Sequence, residues 1–169
     1  MAKKSILVRR LISWLLLTLV SIAVGLILDC VVFKTQSLPA AVRIVGIVGV
    51  LLAHFPIKRS GKLLRKLGEC ECWGWSTKLI KEDIYKCVRH PHHLGIGLFM
   101  TSGALIIGYP ITAALLIVVQ WAWVLLFLIF IEEKECLAKF GDEYREYKKE
   151  VPMLLANPFC IIKTLFKPL

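Results

Sequence analysis

The sequence predicts an all-α polytopic membrane protein with about four transmembrane helices. Of its 169 residues, 57% are hydrophobic, and the mean hydropathy is +0.70. Both values exceed those of ordinary soluble domains. Several apolar runs are long enough to cross ~30 Å of hydrocarbon, and basic segments separate them. Because the chain is short for more than one domain, we expect a single membrane domain over residues 1–169.

The first two spans are predicted at residues 11–33 and 38–57. The first follows four basic residues: Lys3, Lys4, Arg9 and Arg10. It is longer than the apolar core of a signal peptide and lacks a clear cleavage site, so we expect it to be retained. In the second span, Gly46 and Gly49 allow close helix approach. Pro56 is expected to end this helix.

A basic run follows the second span and consists of Lys58, Arg59, Lys62, Arg65 and Lys66. Such a run is expected to lie along anionic lipid headgroups. A solvated charged loop is the alternative interpretation. The net charge of +10 favours lipid headgroups over nucleic acid as the partner, because the basic residues flank apolar spans.

The last two spans are predicted at residues 94–109 and 111–131, joined by a sharp uncharged turn. Small residues form a packing stripe along the third span: Gly97, Thr101, Ala104 and Gly108. Gln120 interrupts the fourth, where an interhelical hydrogen bond is the favoured role and substrate contact the alternative.

Loop charges orient the predicted bundle. Lys and Arg number four before the first span, nine in the second loop and seven in the tail, against two in the first loop and none in the third. The positive-inside rule therefore places both termini and the long second loop in the cytosol. An even number of spans agrees with that arrangement.

The tail is predicted to continue as a cytosolic helix over residues 132–150. One face carries residues at alternating spacings of four and three: Glu133, Leu137, Phe140, Tyr144, Tyr147 and Val151. Val151 and Pro152 are expected to end the helix.

The six cysteines do not form a secreted disulfide pattern. By the predicted topology most of them lie near the reducing side of the membrane, where free thiols are expected. Cys70 and Cys72, with the nearby histidines, resemble metal ligands only weakly, because the spacing is not C-x-x-C and no second pair follows. We therefore expect no metal site.

Two polar clusters are predicted to meet at the cytosolic interface, because the third and fourth spans form a hairpin. One precedes the third span: Tyr85, Arg89, His90, His92 and His93. Glu132 and Glu133 follow the fourth span. Ionisable groups that pair across helices at a membrane boundary indicate a functional site. The alternative is that Arg89 only reaches toward the headgroups while the glutamates cap a helix.

Two linked motifs carry a resemblance to a known family. The first runs through Lys78-Leu79-Ile80, Ile84-Tyr85, Arg89-His90-Pro91 and Gly95. The second runs through Glu132-Glu133, Leu137, Phe140-Gly141, Tyr144, Tyr147 and Val151-Pro152. In order and spacing, residues 77–152 resemble the membrane methyltransferases that include isoprenylcysteine carboxyl methyltransferase and phospholipid methyltransferases.

The resemblance implies S-adenosylmethionine as cofactor, in a pocket capped by the cytosolic loops and the C-terminal helix. Positions matching the cofactor-binding residues of the family are Thr77, Lys78, Leu79, Ile80, Tyr85, His90, Pro91, His92, His93, Glu132 and Glu133. The acceptor would be a lipid or a lipophilic small molecule with a thiol, amine or carboxylate group. No obligate protein partner is indicated.

The chemistry of methyl transfer fits these residue types. A carboxylate such as Glu132 suits the ammonium and sulfonium of the cofactor, and Arg89 or His90 suits its carboxylate. An acceptor must lose its proton, which a histidine can take near neutral pH, and His93 or His92 is the candidate. We therefore predict catalytic roles for Arg89, His93 and Glu133.

The sequence departs from the family pattern at four positions. Asp83 replaces a glycine, His93 a tyrosine and Met153 an arginine. Leu128 stands where isoprenylcysteine enzymes have an arginine for the substrate carboxylate, which argues against that acceptor.

Two other functions stay open from the sequence: an NADPH-dependent membrane reductase of the sterol-reductase type, and a non-catalytic membrane scaffold. The absence of targeting signals favours a prokaryotic cell membrane over an internal eukaryotic one.

Overall fold

The computed structural model describes residues 2–68, 76–155 and 157–165, and these residues form helices and no strand. The α-helices are α1 (Ala2–Ile27), α2 (Ala40–Leu67), α3 (Pro91–Ile107), α4 (Pro110–Phe127), α5 (Glu133–Glu150) and α6 (Pro158–Leu165). Leu28–Val32 and Leu128–Glu132 are π-helical, and Asp83–Lys86 is a 3₁₀ turn.

In the part of the chain that the structure describes, three helices are long and apolar enough to cross a membrane: Val8–Val32, Ala40–Leu67 and Pro110–Glu150, the last running through α4 into α5. Helix α3 is apolar but shorter, at 17 residues. Exposed leucine, isoleucine and valine side chains cover the outer faces of α1 and α2, such as Leu16, Leu19, Leu51 and Leu52. Such faces need a lipid environment. The predicted polytopic all-α membrane protein is confirmed.

The expectation that Pro56 ends the second helix is wrong. Pro56 lies inside α2, which continues to Leu67. Proline removes one backbone donor, a loss that membrane helices tolerate where neighbouring groups satisfy the freed carbonyl. The basic run therefore lies on helix α2 and not in a loop.

The chain divides into two compact units, and α2, α3 and α4 contribute to both. Unit 1 comprises residues 1–49 and 100–123. Its core contains Ala104, Ala113 and Leu116. A Cβ added to Gly46 would meet the Ser102 carbonyl oxygen at 2.7 Å, so the predicted close approach of this glycine is confirmed. Gln120 accepts a hydrogen bond from Trp14 Nε1 (2.8 Å) and donates one to Thr18 (2.9 Å), as predicted.

Unit 1 also contains a buried carboxylate that the sequence reading did not single out. Asp29 is fully buried in the π-helical end of the first span. It accepts hydrogen bonds from the backbone N–H groups of Ile111 (3.2 Å) and Thr112 (2.7 Å), and from the hydroxyls of Thr112 and Thr35. The carboxylate therefore caps the first turn of α4.

Unit 2 comprises residues 50–99 and 124–169. Its core joins Leu63 of α2 to Ile80, Ile84, Tyr85 and Val88 of the segment that precedes α3. Gly95 lets α3 approach α2 closely, because an added Cβ would meet Ile57 at 2.5 Å. This packing fixes the polar start of α3 beside the C-terminal half of α2.

Helix α5 is kinked at Gly141 (φ 55°, ψ −129°), and the kink corrects the predicted face. Tyr144, Tyr147 and Val151 pack with Cys136 and Phe140, whereas Leu137 is exposed. A single regular 4-3 repeat does not continue through a residue with positive φ. The predicted end at Val151 is confirmed by its extended backbone.

The expectation of free thiols is wrong for Cys87 and Cys160. Cys87 and Cys160 form a disulfide, with Cα atoms 5.6 Å apart, that ties α6 to the segment before α3. The pairing joins residues 73 positions apart, which spacing alone does not reveal. Cys30 and Cys136 are free. Cys70 and Cys72 lie outside the described residues.

Candidate active site

The loop that carries the site begins at Asp83, which has a left-handed backbone (φ 55°). Such a φ favours glycine, the residue that the family resemblance expects at this position. Aspartate is accommodated because its carboxylate receives two hydrogen bonds from Arg59, at 2.5 and 2.6 Å, and one from the Ile84 N–H. The departure from the expected glycine is therefore compensated within the same unit.

The segment predicted to contact the cofactor packs along α5. Thr77 donates to the Gly68 carbonyl through its N–H (2.8 Å), and Lys139 donates to the Ser76 carbonyl. Leu79 packs against the Tyr144–Tyr147 cluster, and Ile80 is buried. Thr77 and Lys78 are exposed, so they remain accessible to a ligand.

His90 lies between two carboxylates at the centre of the site. Its Nδ1 is 3.1 Å from Glu132 Oε2, and its Nε2 is 2.8 Å from Glu133 Oε1. Burial disfavours the charged ring, but the bonds to Glu132 and Glu133 outweigh it and raise the pKa of His90. Because both ring nitrogens face carboxylates, the arrangement favours the imidazolium form of His90, which positions the carboxylates and is unsuited to act as a base.

Glu133 is the hub of the buried half of the site and is 7% exposed. Besides His90, its Oε1 accepts a hydrogen bond from the Tyr144 hydroxyl (2.6 Å) and lies 3.3 Å from Arg89 Nε. Its Oε2 lies 2.8 Å from Lys148 Nζ. The cationic partners offset the cost of burying the carboxylate.

The adjacent π-helical turn explains how two consecutive glutamates reach one ring. Leu128–Glu132 adds a residue to its turn, and this widening occurs immediately before Glu133. Widened turns of this kind occur at functional sites, where they re-aim side chains. Here the carboxylates at successive positions converge on opposite nitrogens of His90.

Glu132 forms the accessible half of the site, since its side chain is 30% exposed. His93 Nδ1 lies 3.7 Å from Glu132 Oε2, and the His93 ring stacks on Phe127 at 5.4 Å. The candidate ligand atoms of His90, His93 and Glu132 lie within 4.8 Å of one another, close enough for a metal ion. Both His90 nitrogens already face carboxylates, so the expectation of no metal site stays our prediction.

The remaining predicted residues are placed around this centre. Arg89 donates from Nη1 to the Lys148 carbonyl (2.9 Å), and its N–H donates to the Pro152 carbonyl. Pro91 is buried at the first position of α3, and His92 hydrogen-bonds the Ile57 carbonyl of α2. Tyr85 belongs to the core, and its carbonyl accepts the Tyr147 hydroxyl. Burial, with Tyr147 and Glu132 nearby, raises the pKa of Tyr85, so its phenol stays protonated.

Sequence reasoning missed Tyr144 and Lys148 as members of the site. Tyr144 was recognised as a residue of the helix face and of the second motif but was not assigned to the site, and Lys148 was counted only among the charges of the tail. Helical periodicity alone could not assign them, because Gly141 breaks the regular repeat between Glu133 and both residues. Phe127 was hidden within a continuous apolar run.

The sequence matches the phospholipid methyltransferase family over residues 37–143, more than half of the chain. The protein therefore belongs to this family of membrane methyltransferases. No solved structure matches it.

Three relatives are each similar to this protein over somewhat less than half of the chain. The chain is 36% identical over 81 residues to methanethiol S-methyltransferase of Mycobacterium tuberculosis, covering 44% of this chain and 29% of that protein. It is 34% identical over 87 residues to methanethiol S-methyltransferase 2 of Bradyrhizobium diazoefficiens, covering 48% and 30%.

A third relative has a different named activity. The chain is 31% identical over 74 residues to protein-S-isoprenylcysteine O-methyltransferase of Schizosaccharomyces pombe, covering 44% of this chain and 31% of that protein. All three matches span less than a third of the relative's length.

Proposed function

We propose that this protein transfers a methyl group from S-adenosylmethionine to a lipophilic thiol at the membrane interface. Membership in the methyltransferase family supports the reaction class. The observation that carries the proposal is the pair of glutamates on His90, one buried and one accessible. The buried glutamate fixes the arrangement and the accessible one is left to meet a cationic ligand.

The donor set fits S-adenosylmethionine in charge. Glu132 is a partly exposed carboxylate that would hold the ammonium or sulfonium group of the cofactor. Exposed Thr77 and Lys78 would hold its polar ends. When bound, S-adenosylmethionine supplies an electrophilic methyl group on a positively charged sulfur.

The residues of the chain orient the reactants and manage one proton. They would hold the cofactor and the acceptor thiol next to each other, and the cofactor would supply the methyl group that the thiol sulfur takes as it loses its proton. The thiol proton passes to His93, which stands beside Glu132 on the face of Phe127. Arg89 and Glu133 act by positioning, since both are buried in mutual contact.

A thiol is favoured over the other acceptor groups by two observations. The methanethiol S-methyltransferases similar to this chain have a sulfur acceptor in their names. Leu128 is fully buried and apolar, so it offers no partner to a carboxylate acceptor.

The proposal includes the side of the membrane on which the site lies. The basic residues at the C-terminal end of α2, in the segment before α3 and in the tail favour a cytosolic site with both termini in the cytosol, in a prokaryotic cell membrane. A water-soluble cofactor then enters from the cytosol, while a lipophilic acceptor arrives through the bilayer.

A matched pair of variants tests the proposal. Glu132→Gln removes the accessible charge, and we expect transfer of a tritiated methyl group from S-adenosylmethionine to methanethiol or a longer alkyl thiol to fall on the order of tenfold or more. Glu146→Gln on the exposed face of α5 is the control and should keep wild-type activity. Equal activity in the Glu132 variant and the wild type would contradict the role of Glu132. Methylation of phosphatidylethanolamine and not of thiols would show that the acceptor is an amine and would contradict the proposed thiol.

A further inference from the structure

The continuation of α2 past Pro56 creates a surface groove that the proposed methyl transfer does not use. The groove has a volume of about 350 Å³ and is lined by Leu51, His54, Phe55, Lys58, Arg59 and Lys62. The candidate active-site residues His90, His93, Glu132 and Glu133 do not line it. All six lining residues belong to one helix, so the groove follows the helix axis.

The lining residues change character along the helix. Leu51, Phe55, Lys58 and Lys62 are separated by steps of four, three and four residues, so they share one face. From Leu51 to Lys62 the helix rises roughly 16 Å. The groove is therefore apolar at one end and cationic at the other, over about half the thickness of a hydrocarbon core.

The two lysines provide the available positive charge. Within the described residues, Lys58 and Lys62 are exposed and have no ion-pair partner. Arg59, in contrast, is 5% exposed and is held by Asp83 beneath the Phe55 ring. Arg59 thus stiffens the floor of the groove and leaves the lysines to meet a ligand.

We propose that this groove binds an anionic phospholipid of the surrounding bilayer. The phosphodiester lies between Lys58 and Lys62, where each cation near the surface attracts anionic lipid. One acyl chain follows Leu51 and Phe55 toward the exposed Leu52, which is 65% accessible. Charge complementarity selects the headgroup, and the apolar end selects a lipid over a soluble phosphate.

The bound lipid has a structural consequence for the neighbouring site. The Ile57 side chain lies against Gly95 of α3, and its carbonyl accepts a hydrogen bond from His92 at the start of that helix. A lipid clamped on α2 therefore restrains the helix that positions His92. Lipid binding is nevertheless independent of methyl transfer, and its test needs no substrate.

Native mass spectrometry of the whole detergent-purified protein tests the proposal. The protein is offered equal amounts of phosphatidylglycerol and phosphatidylcholine with the same acyl chains. We expect preferential retention of phosphatidylglycerol, and a loss of that preference on the order of tenfold in Lys58→Gln/Lys62→Gln. Lys58→Arg/Lys62→Arg keeps the charge and should keep the preference.

Lys149→Gln/Lys163→Gln removes the same charge elsewhere in unit 2, at two exposed positions, and should behave as wild type. Circular dichroism of each variant verifies that helix content is retained. An equal loss in this control, or no loss in the groove variant, would overturn the proposal. Displacement of the bound lipid by millimolar inorganic phosphate would overturn the proposal as well, because the groove would then bind phosphate and not a lipid. The same holds if the wild type is a dimer and the groove variant becomes a monomer without losing lipid.

Discussion

Each of the two units buries a carboxylate, and the two carboxylates differ in the charge of the groups that bind them. In unit 1, the partners of Asp29 among the described residues are neutral donors of Thr35, Ile111 and Thr112. In unit 2, Glu133 is surrounded by the cationic groups of Arg89, His90 and Lys148 and by the Tyr144 hydroxyl. A second carboxylate, Glu132, stays partly exposed at the same ring.

The difference separates a structural carboxylate from a functional arrangement. The hydrogen bonds of Asp29 are complete within the fold, so the residue has nothing left to offer a ligand. Glu133 has three cationic partners, and one of them, His90, also contacts Glu132 at the surface of the site. Clusters of paired charges with one accessible member mark functional sites more often than fully satisfied buried groups do.

The largest effect should come from Glu133→Gln. This change leaves three cationic groups buried or half-buried around a neutral amide, and we expect the free energy of unfolding to fall by about 4 kcal/mol. Thermal or denaturant unfolding in detergent measures it, with Glu146→Gln as the matched control. A decrease of less than about 1 kcal/mol in the free energy of unfolding would mean that the charged groups around Glu133 rearrange. Glu133 would then not be the residue that holds the buried half of the site together.

The two units also differ in covalent crosslinking. The Cys87–Cys160 disulfide crosslinks unit 2, whereas Cys30 of unit 1 is a free thiol. Cys160→Ser should lower the free energy of unfolding of the oxidised protein by about 3 kcal/mol. Unfolding with and without a thiol reductant gives the comparison, and Cys30→Ser serves as the control. A wild type whose stability is insensitive to reductant would contradict the crosslink.

Asp29→Asn sharpens the contrast between structure and function. The asparagine side chain has one acceptor oxygen where aspartate has two, so some of the donors around it would lose their partner. We therefore expect the free energy of unfolding to fall by about 2 kcal/mol. The affinity of the folded protein for S-adenosylhomocysteine should not change, because Asp29 belongs to unit 1. A weakened affinity at unchanged stability would reverse the assignment of the two carboxylates.

The raised pKa of His90 predicts the smallest effect, a pH dependence of stability. Burial opposes protonation of the ring but Glu132 and Glu133 favour it more, so the folded pKa lies above the unfolded value of about 6.5. The imidazolium then contributes its full stabilisation below about pH 6.5, and the contribution disappears as pH rises through the folded pKa. The midpoint of thermal unfolding should fall over this window in the wild type and stay flatter in His90→Asn. A midpoint that rises with pH would contradict the imidazolium.

The sequence was sufficient for the parts of the fold that local patterns determine. Apolar runs predicted the membrane helices, and the hairpin argument brought Arg89 and His90 to Glu133. Gln120 was predicted as an interhelical hydrogen bond and is one. These predictions hold because burial of apolar surface and pairing of buried polar groups act at every position along the chain.

Long-range compensation was not predictable from these patterns. Pro56 reads as a helix end until neighbouring groups satisfy the backbone around it. The pairing of Asp83 with Arg59, and of Cys87 with Cys160, depends on contacts between residues far apart in sequence. Gly141 shows the same limit, since its positive φ shifts the face of α5 and exposes Leu137.

The most direct test of the central claim is calorimetric titration of the detergent-purified protein with S-adenosylhomocysteine, with NADPH in a parallel cell. Our account predicts saturable binding of S-adenosylhomocysteine alone, weakened in Glu132→Gln and unchanged in Asp29→Asn among folded molecules. Binding of NADPH alone would indicate a membrane reductase. Binding of neither ligand by a demonstrably folded sample would contradict the account and leave a non-catalytic membrane scaffold.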